Sequence, residues 1–195
     1  MKFYQDYQGS IQIGQQELKD LSPSQVRQMI SYIPQDNTLF HGTLRENLLY
    51  GKNSGVSEER LYEILEQLDL TKLVNELEKG IDTKISDSGT GLSEGQKQRF
   101  NIARAFMVDH PIYLLDEVTA SLDSVTESII SKAIDKFTAG KTRLTIAHRL
   151  NTVREADYIL VLNKNGSVSD FGKHQQLIQR NHLYNHFLSE LQAAG

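Results

Sequence analysis

The chain has 195 residues, of which 38% are hydrophobic and 24% are charged, an ordinary composition for a soluble globular domain. Its formal net charge of −4 and its lack of a basic run argue against nucleic acid as a partner. The absence of cysteine excludes disulfides and thiolate metal sites. The apolar runs are strand-sized and too short to span a membrane, and the N-terminus lacks the apolar core of a signal peptide.

Helix-start signals and short apolar runs alternate in the first part of the chain. "GSIQIG" predicts a short strand, and "SPSQ" and "TLRE" each have the capping-box pattern, with Gln or Glu three residues after Ser or Thr. Between them, "MISYIP" is an apolar run that stops at Pro34. From Ser57 to Leu77, apolar residues recur at helical spacing, which predicts an amphipathic helical region.

The second half of the chain has the pattern of a parallel α/β protein. "PIYLLD" (111–116) and "TRLTIA" (142–147) predict strands buried on both faces, with a helix capped by Asp123 between them. "YILVLN" predicts a further strand, and two short amphipathic helices follow it. We therefore expect an α/β core over residues 1–36 and 106–172, a helical insertion over 37–105 and a helical tail over 173–195.

Polar side chains follow three of the predicted strands. Asp116 and Glu117 end one strand, Gln35 ends another and His148 ends a third. An isolated acidic pair is most often a solvated strand end, and a lone histidine there is usually structural. Together, at the edge where α/β proteins bind ligands, these residue types suit metal-assisted phosphoryl transfer: one carboxylate to position Mg²⁺ and the other to polarise a water.

The stretch "GLSEGQKQR" predicts a helix N-terminus that is open to an anion. Ser93 and Gln96 form a capping-box pair, and Gly91 and Gly95 leave the approach open. A merely well-capped helix would have the same pattern. No G-x-x-x-x-G-K-[ST] phosphate loop occurs in the chain. His182 and His186 have a metal-like spacing, but without a third ligand we interpret them as surface residues.

Four motifs in this order resemble the nucleotide-binding domain of an ABC transporter: "YIPQD", "GLSEGQKQRFNIARAF", "IYLLDEVTASLD" and "LTIAHRL". They are similar to the Q-loop, the signature, the Walker B motif with the D-loop, and the H-loop. Flanking segments resemble exporter-type domains. The resemblance implies a P-loop NTPase-like parallel sheet core with an inserted α-helical subdomain. It also implies that the fold is incomplete at the N-terminus, since the Walker A loop is absent.

The resemblance implies a role for each matching residue. Gln35 would contact Mg²⁺, Asp116 would hold Mg²⁺ through water, and Glu117 would be the general base. His148 would contact the γ-phosphate, and Asp123 would lie at a dimer interface. The signature residues would bind the γ-phosphate of ATP held by the opposite subunit; they are Ser93, Gly95 and Gln96. Glu94 replaces a usual glycine, and we expect its side chain to point outward, away from a triphosphate.

The implied function is hydrolysis of ATP with Mg²⁺ at the interface of two ATPase domains, in a homodimer or heterodimer. This reaction would drive export by a transmembrane partner at the cytoplasmic face of the cell membrane, and the implied partners include no nucleic acid. Without Walker A, we expect little activity from the chain alone. Two alternatives remain open: a non-catalytic remnant or interaction fragment, and a non-transport ABC ATPase.

Overall fold

The computed structural model describes residues 2, 4, 6–51, 55–86, 91–119, 122–147 and 150–194. These residues form two compact units, 1–145 and 146–195. Nine helices are assigned within the described residues: Pro23–Met29 (α1), Leu44–Leu48 (α2), Glu58–Gln67 (α3), Thr71–Glu76 (α4), Glu94–Phe106 (α5), Ser124–Thr138 (α6), Leu150–Arg154 (α7), His174–Arg180 (α8) and His182–Ala194 (α9).

The strands of the described residues are short: Gln12–Ile13 (β1), Gln16–Glu17 (β2), Ile30–Ile33 (β3), Gly42–Thr43 (β4), Lys84–Ile85 (β5), Ile112–Asp116 (β6), Thr142–Ile146 (β7), Ile159–Leu162 (β8) and Val168–Gly172 (β9). The pairs β1–β2, β4–β5 and β8–β9 form two-stranded antiparallel sheets. The strands β3, β6 and β7 form a sheet with β6 in the middle, and β3 and β6 are parallel. The predicted α/β fold with a parallel sheet is confirmed.

The core of the first unit lies between this sheet and helices α2 to α6. Ile33 of β3 and Tyr113 and Leu115 of β6 are buried, and Phe100 and Phe106 of α5 pack into the same cluster. Side chains alternate along a strand, so Tyr32, Leu114 and Asp116 lie on the other, less buried face. The amphipathic pattern from Ser57 onward gives α3 and α4, which a turn at Asp69 with φ of 50° separates.

The predicted helix caps are confirmed. Ser22 and Gln25 form a reciprocal capping box at α1, with Pro23 in the first turn, and Thr43 and Glu46 do the same at α2. The two predicted tail helices are α8 and α9. The assignment of residues to a core, an insertion and a tail stays a prediction.

The prediction that "TRLTIA" is buried on both faces is wrong for the described chain. Leu144 and Ile146 of β7 are 63% and 54% exposed. β7 ends its sheet, so no further described strand pairs with its outer edge. In the second unit, the β8–β9 hairpin packs Ile159 and Val161 against a small core. Its opposite side, here called the apolar hairpin face, is more than half exposed and consists of Tyr158, Leu160, Leu162, Val168 and Phe171.

Candidate active site

The two predicted carboxylates lie at the end of the middle strand of the sheet. Asp116 is the last residue of β6, and Glu117 follows it with a φ of 50°. A non-glycine residue in this left-handed region costs about 1–2 kcal/mol, because its Cβ crowds the following carbonyl oxygen. Backbone strain of this kind is concentrated at functional sites. The strained residue here is the one for which the family resemblance implies the role of general base.

Gln35 meets Glu117 across the sheet. Its amide nitrogen Nε2 donates a 2.9 Å hydrogen bond to Oε2 of Glu117. The donor must be the amide nitrogen, because an ionised carboxylate only accepts. The parallel register ends with the pair Ile33 and Leu115, and Gln35 and Glu117 each lie two residues beyond that pair. The structure therefore brings together two of the predicted site residues.

Asp116 has its own partner on β3. The hydroxyl of Tyr32 donates a 3.0 Å hydrogen bond to Oδ2 of Asp116. Partial burial, and then the neighbouring carboxylate of Asp116, raise the pKa of Tyr32 above its ordinary value. Sequence analysis missed this residue. The available signal was its position three residues before Gln35, on the half-exposed face of the strand that leads to Gln35.

The donor set suits a magnesium ion that is bound mainly by its substrate. The described residues contain no cluster of three or more His, Cys, Asp or Glu side chains able to hold a metal. Mg²⁺ in phosphoryl-transfer sites needs only one or two carboxylates, with phosphate oxygens and water as the other ligands. Asp116 meets that requirement, and Oε1 of Gln35 is not used in its bond to Glu117.

The signature stretch begins α5 in the predicted way. Oγ of Ser93 accepts a hydrogen bond from the backbone N–H of Gln96 at 3.2 Å, and the Gln96 side chain accepts from the Ser93 N–H at 2.8 Å. Glu94 is exposed and forms an ion pair with Lys97 at 2.7 Å, so its side chain points outward as expected. These contacts lie within the cap, in an element separate from the strand ends that hold Asp116 and Glu117.

Packing does not explain the glycine at position 95. A Cβ added to Gly95 would lie 3.6 Å from Cγ2 of Thr126 and 3.9 Å from Cδ2 of Leu122, both ordinary contact distances. A small side chain would therefore fit in the free chain.

A buried amide connects α5 to the strand end. Gln98 is only 3% exposed, and its Nε2 donates to the backbone carbonyl of Val118, the residue after Glu117. Its Oε1 accepts from Asn37 at 3.4 Å, and Asn101 of α5 donates to the carbonyl of Asp36 at 3.4 Å. Sequence analysis missed this network. The signal was two amide side chains three residues apart on the apolar face of a helix.

Asp123 caps α6, as predicted. Its Oδ1 accepts from the backbone N–H groups of Thr126 and Val125, both at 3.0 Å. These hydrogen bonds, that to Thr126 foremost, hold the pKa of Asp123 below its ordinary value. His148, the remaining predicted site residue, lies outside the described residues.

A cavity of about 750 Å³ lies elsewhere in the first unit. Its charged lining is paired internally, because Glu63 contacts Lys136 at 3.1 Å and Arg60 at 2.9 Å, and Lys141 contacts Asp109. None of the predicted site residues lines this cavity. The candidate site is therefore the open edge of the sheet at Gln35, Asp116 and Glu117, a surface suited to a ligand that arrives from outside.

Comparison with known proteins identifies the class of this α/β domain. The profile of the ABC transporter family matches residues 1–120, more than half of the chain. The chain belongs to the ABC transporter family. The ABC transporter domain inferred from the sequence motifs is thereby confirmed.

The matched relatives are much longer than this chain. The uncharacterised ABC transporter ATP-binding protein YwjA of Bacillus subtilis (strain 168) is 44% identical over 183 residues, 94% of this chain and 32% of the relative. A multidrug resistance ABC transporter ATP-binding and permease protein of Lactococcus lactis subsp. cremoris (strain MG1363) is 38% identical over 194 residues, 100% of this chain and 33% of the relative. The chain thus spans about a third of their length.

A solved structure supports the same assignment. A bacterial Atm1-family ABC exporter with ATP bound matches the fold with a TM-score of 0.90 and 33% identity. The match covers 100% of this chain and 34% of the exporter chain. Among the described helices, none is both long enough and apolar enough to cross a bilayer.

Proposed function

We propose that this chain is the ATP-hydrolysing part of an ABC exporter, converting ATP and water to ADP and phosphate. One observation carries the proposal: Gln35 holds the carboxylate of Glu117 at 2.9 Å, directly beside Asp116 on the same strand end. An amide and two carboxylates at the carboxyl edge of a parallel sheet are a suitable set for metal-assisted attack of water on a phosphate.

Glu117 is the proposed general base. Its carboxylate accepts the proton of the attacking water, and the hydrogen bond from Gln35 limits the rotation of that carboxylate. Gln98 restrains the next peptide by donating to the carbonyl of Val118. The base is thus held through its side chain and through its backbone, which suits a group that must meet a water in one geometry.

Asp116 is the proposed ligand of Mg²⁺, directly or through water, with the amide oxygen of Gln35 as a further ligand. When bound, Mg²⁺ neutralises negative charge on the phosphates. Asp116 and Glu117 are adjacent, so side-chain alternation along the strand and the turn at Glu117 direct them differently. This arrangement gives the two carboxylates separate roles.

The N-terminus of α5 is the proposed site for the γ-phosphate of ATP held by a second ATPase domain. Its backbone N–H groups and positive dipole end favour an anion. Ser93, Gly95 and Gln96 form this end, and the exposed position of Ser93 supports an approach from outside. Asp123 would lie at the same domain interface, and His148 would contact the γ-phosphate.

The relatives named ATP-binding and permease proteins support a transmembrane partner. We propose that the domain acts at the cytoplasmic face of the membrane, in a homodimer or heterodimer of ATPase domains. ATP binding and hydrolysis there would drive conformational change in the membrane part.

The test is phosphate release by a polypeptide that carries this chain at the length of its relatives. We expect Mg²⁺-dependent turnover in the wild type and a loss of about 10²–10⁴-fold or more in Glu117→Gln, with ATP binding retained. Glu66→Gln makes the same change at an exposed position on α3 and should keep wild-type turnover.

Two results would count against the proposal. Near-normal hydrolysis in Glu117→Gln would remove Glu117 from the role of base. No hydrolysis in the wild type would favour a non-catalytic interaction fragment instead.

A further inference from the structure

Tyr32 lies on β3 opposite Leu114 of β6 in the parallel register. Asp116 is two residues beyond Leu114 and therefore lies on the same face of the sheet. The Tyr32 hydroxyl reaches it diagonally, at 3.0 Å from Oδ2. The tyrosine is 37% exposed, so this hydrogen bond lies at the open edge of the sheet and not in the core.

We propose that Tyr32 is a positioning residue that orients the carboxylate of Asp116 and thereby sets the metal affinity of the site. This inference rests on the proposed function in one respect, the role of Asp116 as the magnesium ligand. Tyr32 does not touch the reacting atoms in this arrangement. It acts through Asp116.

The chemistry of the pair supports an orienting role. The phenol hydroxyl donates one hydrogen bond, which Oδ2 of Asp116 accepts. The carboxylate is therefore held by this oxygen, and Oδ1 takes no part in the bond. Side chains that hydrogen-bond a metal ligand fix its orientation, and their loss commonly weakens metal binding. The Tyr32 ring is attached to a strand of the central sheet, a more rigid support than a loop.

The two carboxylates have different donors, one on β3 and one in the segment that follows it. Tyr32 contacts Asp116, whereas Gln35 contacts Glu117. Loss of the Tyr32 hydroxyl should therefore change metal binding and leave the proposed base in place. This separation gives the inference a signature that a general loss of folding would not produce.

The experiment uses Tyr32→Phe, which removes one oxygen atom and keeps the ring. Binding of Mn²⁺ in the presence of a non-hydrolysable ATP analogue is measured by electron paramagnetic resonance, with Asp116→Ala defining the signal of this site. We expect Tyr32→Phe to bind Mn²⁺ about tenfold more weakly. The affinity for the nucleotide without metal and the melting temperature should both stay within error of the wild type.

Tyr62→Phe is the matched control. Tyr62 lies on α3 and is 40% exposed, close to the exposure of Tyr32. Its substitution should leave Mn²⁺ binding unchanged. Mn²⁺ affinity of Tyr32→Phe within twofold of the wild type would overturn the inference, as would a signal that survives in Asp116→Ala. Phosphate release by the wild type is assayed separately. If the wild type hydrolyses ATP but Tyr32→Phe binds Mn²⁺ as the wild type does, only this inference is refuted. If Tyr32→Phe binds Mn²⁺ more weakly but the wild type does not hydrolyse ATP, only the proposed function is refuted.

Discussion

The buried side chain of Gln98 donates a hydrogen bond to the backbone carbonyl of Val118, the residue that follows Glu117. The same side chain accepts from Asn37, two residues after Gln35. One amide therefore joins the signature helix to the segments that follow two neighbouring strands. A small disturbance at this amide would reach both Glu117 and Gln35.

Replacing Gln98 with leucine should be costly although leucine is similar in size. The carbonyl of Val118 and the amide of Asn37 would lose this partner, and an unsatisfied buried polar group costs about 1–3 kcal/mol. Urea unfolding of Gln98→Leu should show this loss. Gln179→Leu, at an exposed position on α8, is the control and should change the free energy of unfolding little. Equal effects of the two substitutions would argue against the network.

Gly95 allows stability and function to be separated. Gly95→Ala fits its surroundings and removes a glycine from a helix, so it should raise the free energy of unfolding by up to about 1 kcal/mol. ATP-driven dimerisation should nevertheless weaken, because the new methyl group adds bulk to the first turn of α5, the proposed phosphate site, although its nearest described neighbours are Thr126 and Leu122. Size-exclusion chromatography with ATP, in a Glu117→Gln background, measures dimerisation.

Ser93→Ala provides the reverse case. Loss of the cap should cost about 0.5–2 kcal/mol in unfolding free energy and should also weaken dimerisation. Dimerisation of Gly95→Ala at wild-type levels would contradict the proposed trans contact at this helix end.

Backbone strain at Glu117 can be measured directly. Glycine adopts a φ of 50° without a Cβ penalty, so Glu117→Gly should be more stable than Glu117→Ala by about 1 kcal/mol. At Glu66, inside α3, the order should be the opposite by a similar amount, about 1 kcal/mol, because glycine weakens helices. Chemical denaturation of the four variants tests this prediction. If the alanine variant were the more stable one at both positions, Glu117 would be unstrained.

The N-cap of α6 should make part of the stability dependent on acid. The pKa of Asp123 in the folded chain lies below the ordinary value of 3.8, so the ionised cap contributes stability above that pH. The contribution is lost as the pH falls below 3.8 and through the lowered pKa. Asparagine also caps helices but does not titrate, so Asp123→Asn should unfold with a flatter pH dependence in this range, followed by circular dichroism. The free energy of unfolding of Asp123→Ala should be lower than that of Asp123→Asn at every pH.

The apolar hairpin face predicts self-association of the chain on its own. Contiguous exposed apolar surface of this kind is rare on monomeric soluble proteins. Leu160→Lys should reduce light scattering at micromolar concentration without lowering the melting temperature, since Leu160 is 53% exposed. Ile159→Lys, at the neighbouring position that packs against the core, should lower the melting temperature instead. A wild-type chain that stays monomeric would contradict this prediction.

Local rules predicted much of the fold and part of the site. Capping boxes involve residues three apart, so Ser22, Thr43 and Ser93 were all readable from the sequence. Strand-end carboxylates are likewise a local pattern, and Asp116 and Glu117 lie where that pattern placed them.

Contacts between distant segments were not readable in this way. Tyr32 and Asp116 are 84 residues apart, and their contact depends on the register of two strands. The left-handed backbone of Glu117 has no local signal, since glutamate rarely adopts it. The exposure of β7 was also missed, because an apolar run shows that a strand favours burial but not which neighbours cover it.

The parallel register of β3 and β6 determines which donor meets which acid. With Ile33 opposite Leu115, the amide of Gln35 reaches Glu117. In the same register, the phenol of Tyr32 reaches Asp116. A slip of one residue would turn every side chain of β3 to the opposite face of the sheet and separate both pairs. The proposed division of labour, with Asp116 holding the metal and Glu117 accepting the proton, thus depends on strand alignment. We expect a single-residue insertion or deletion within either strand to lower the proposed ATP hydrolysis without changing Gln35, Asp116 or Glu117.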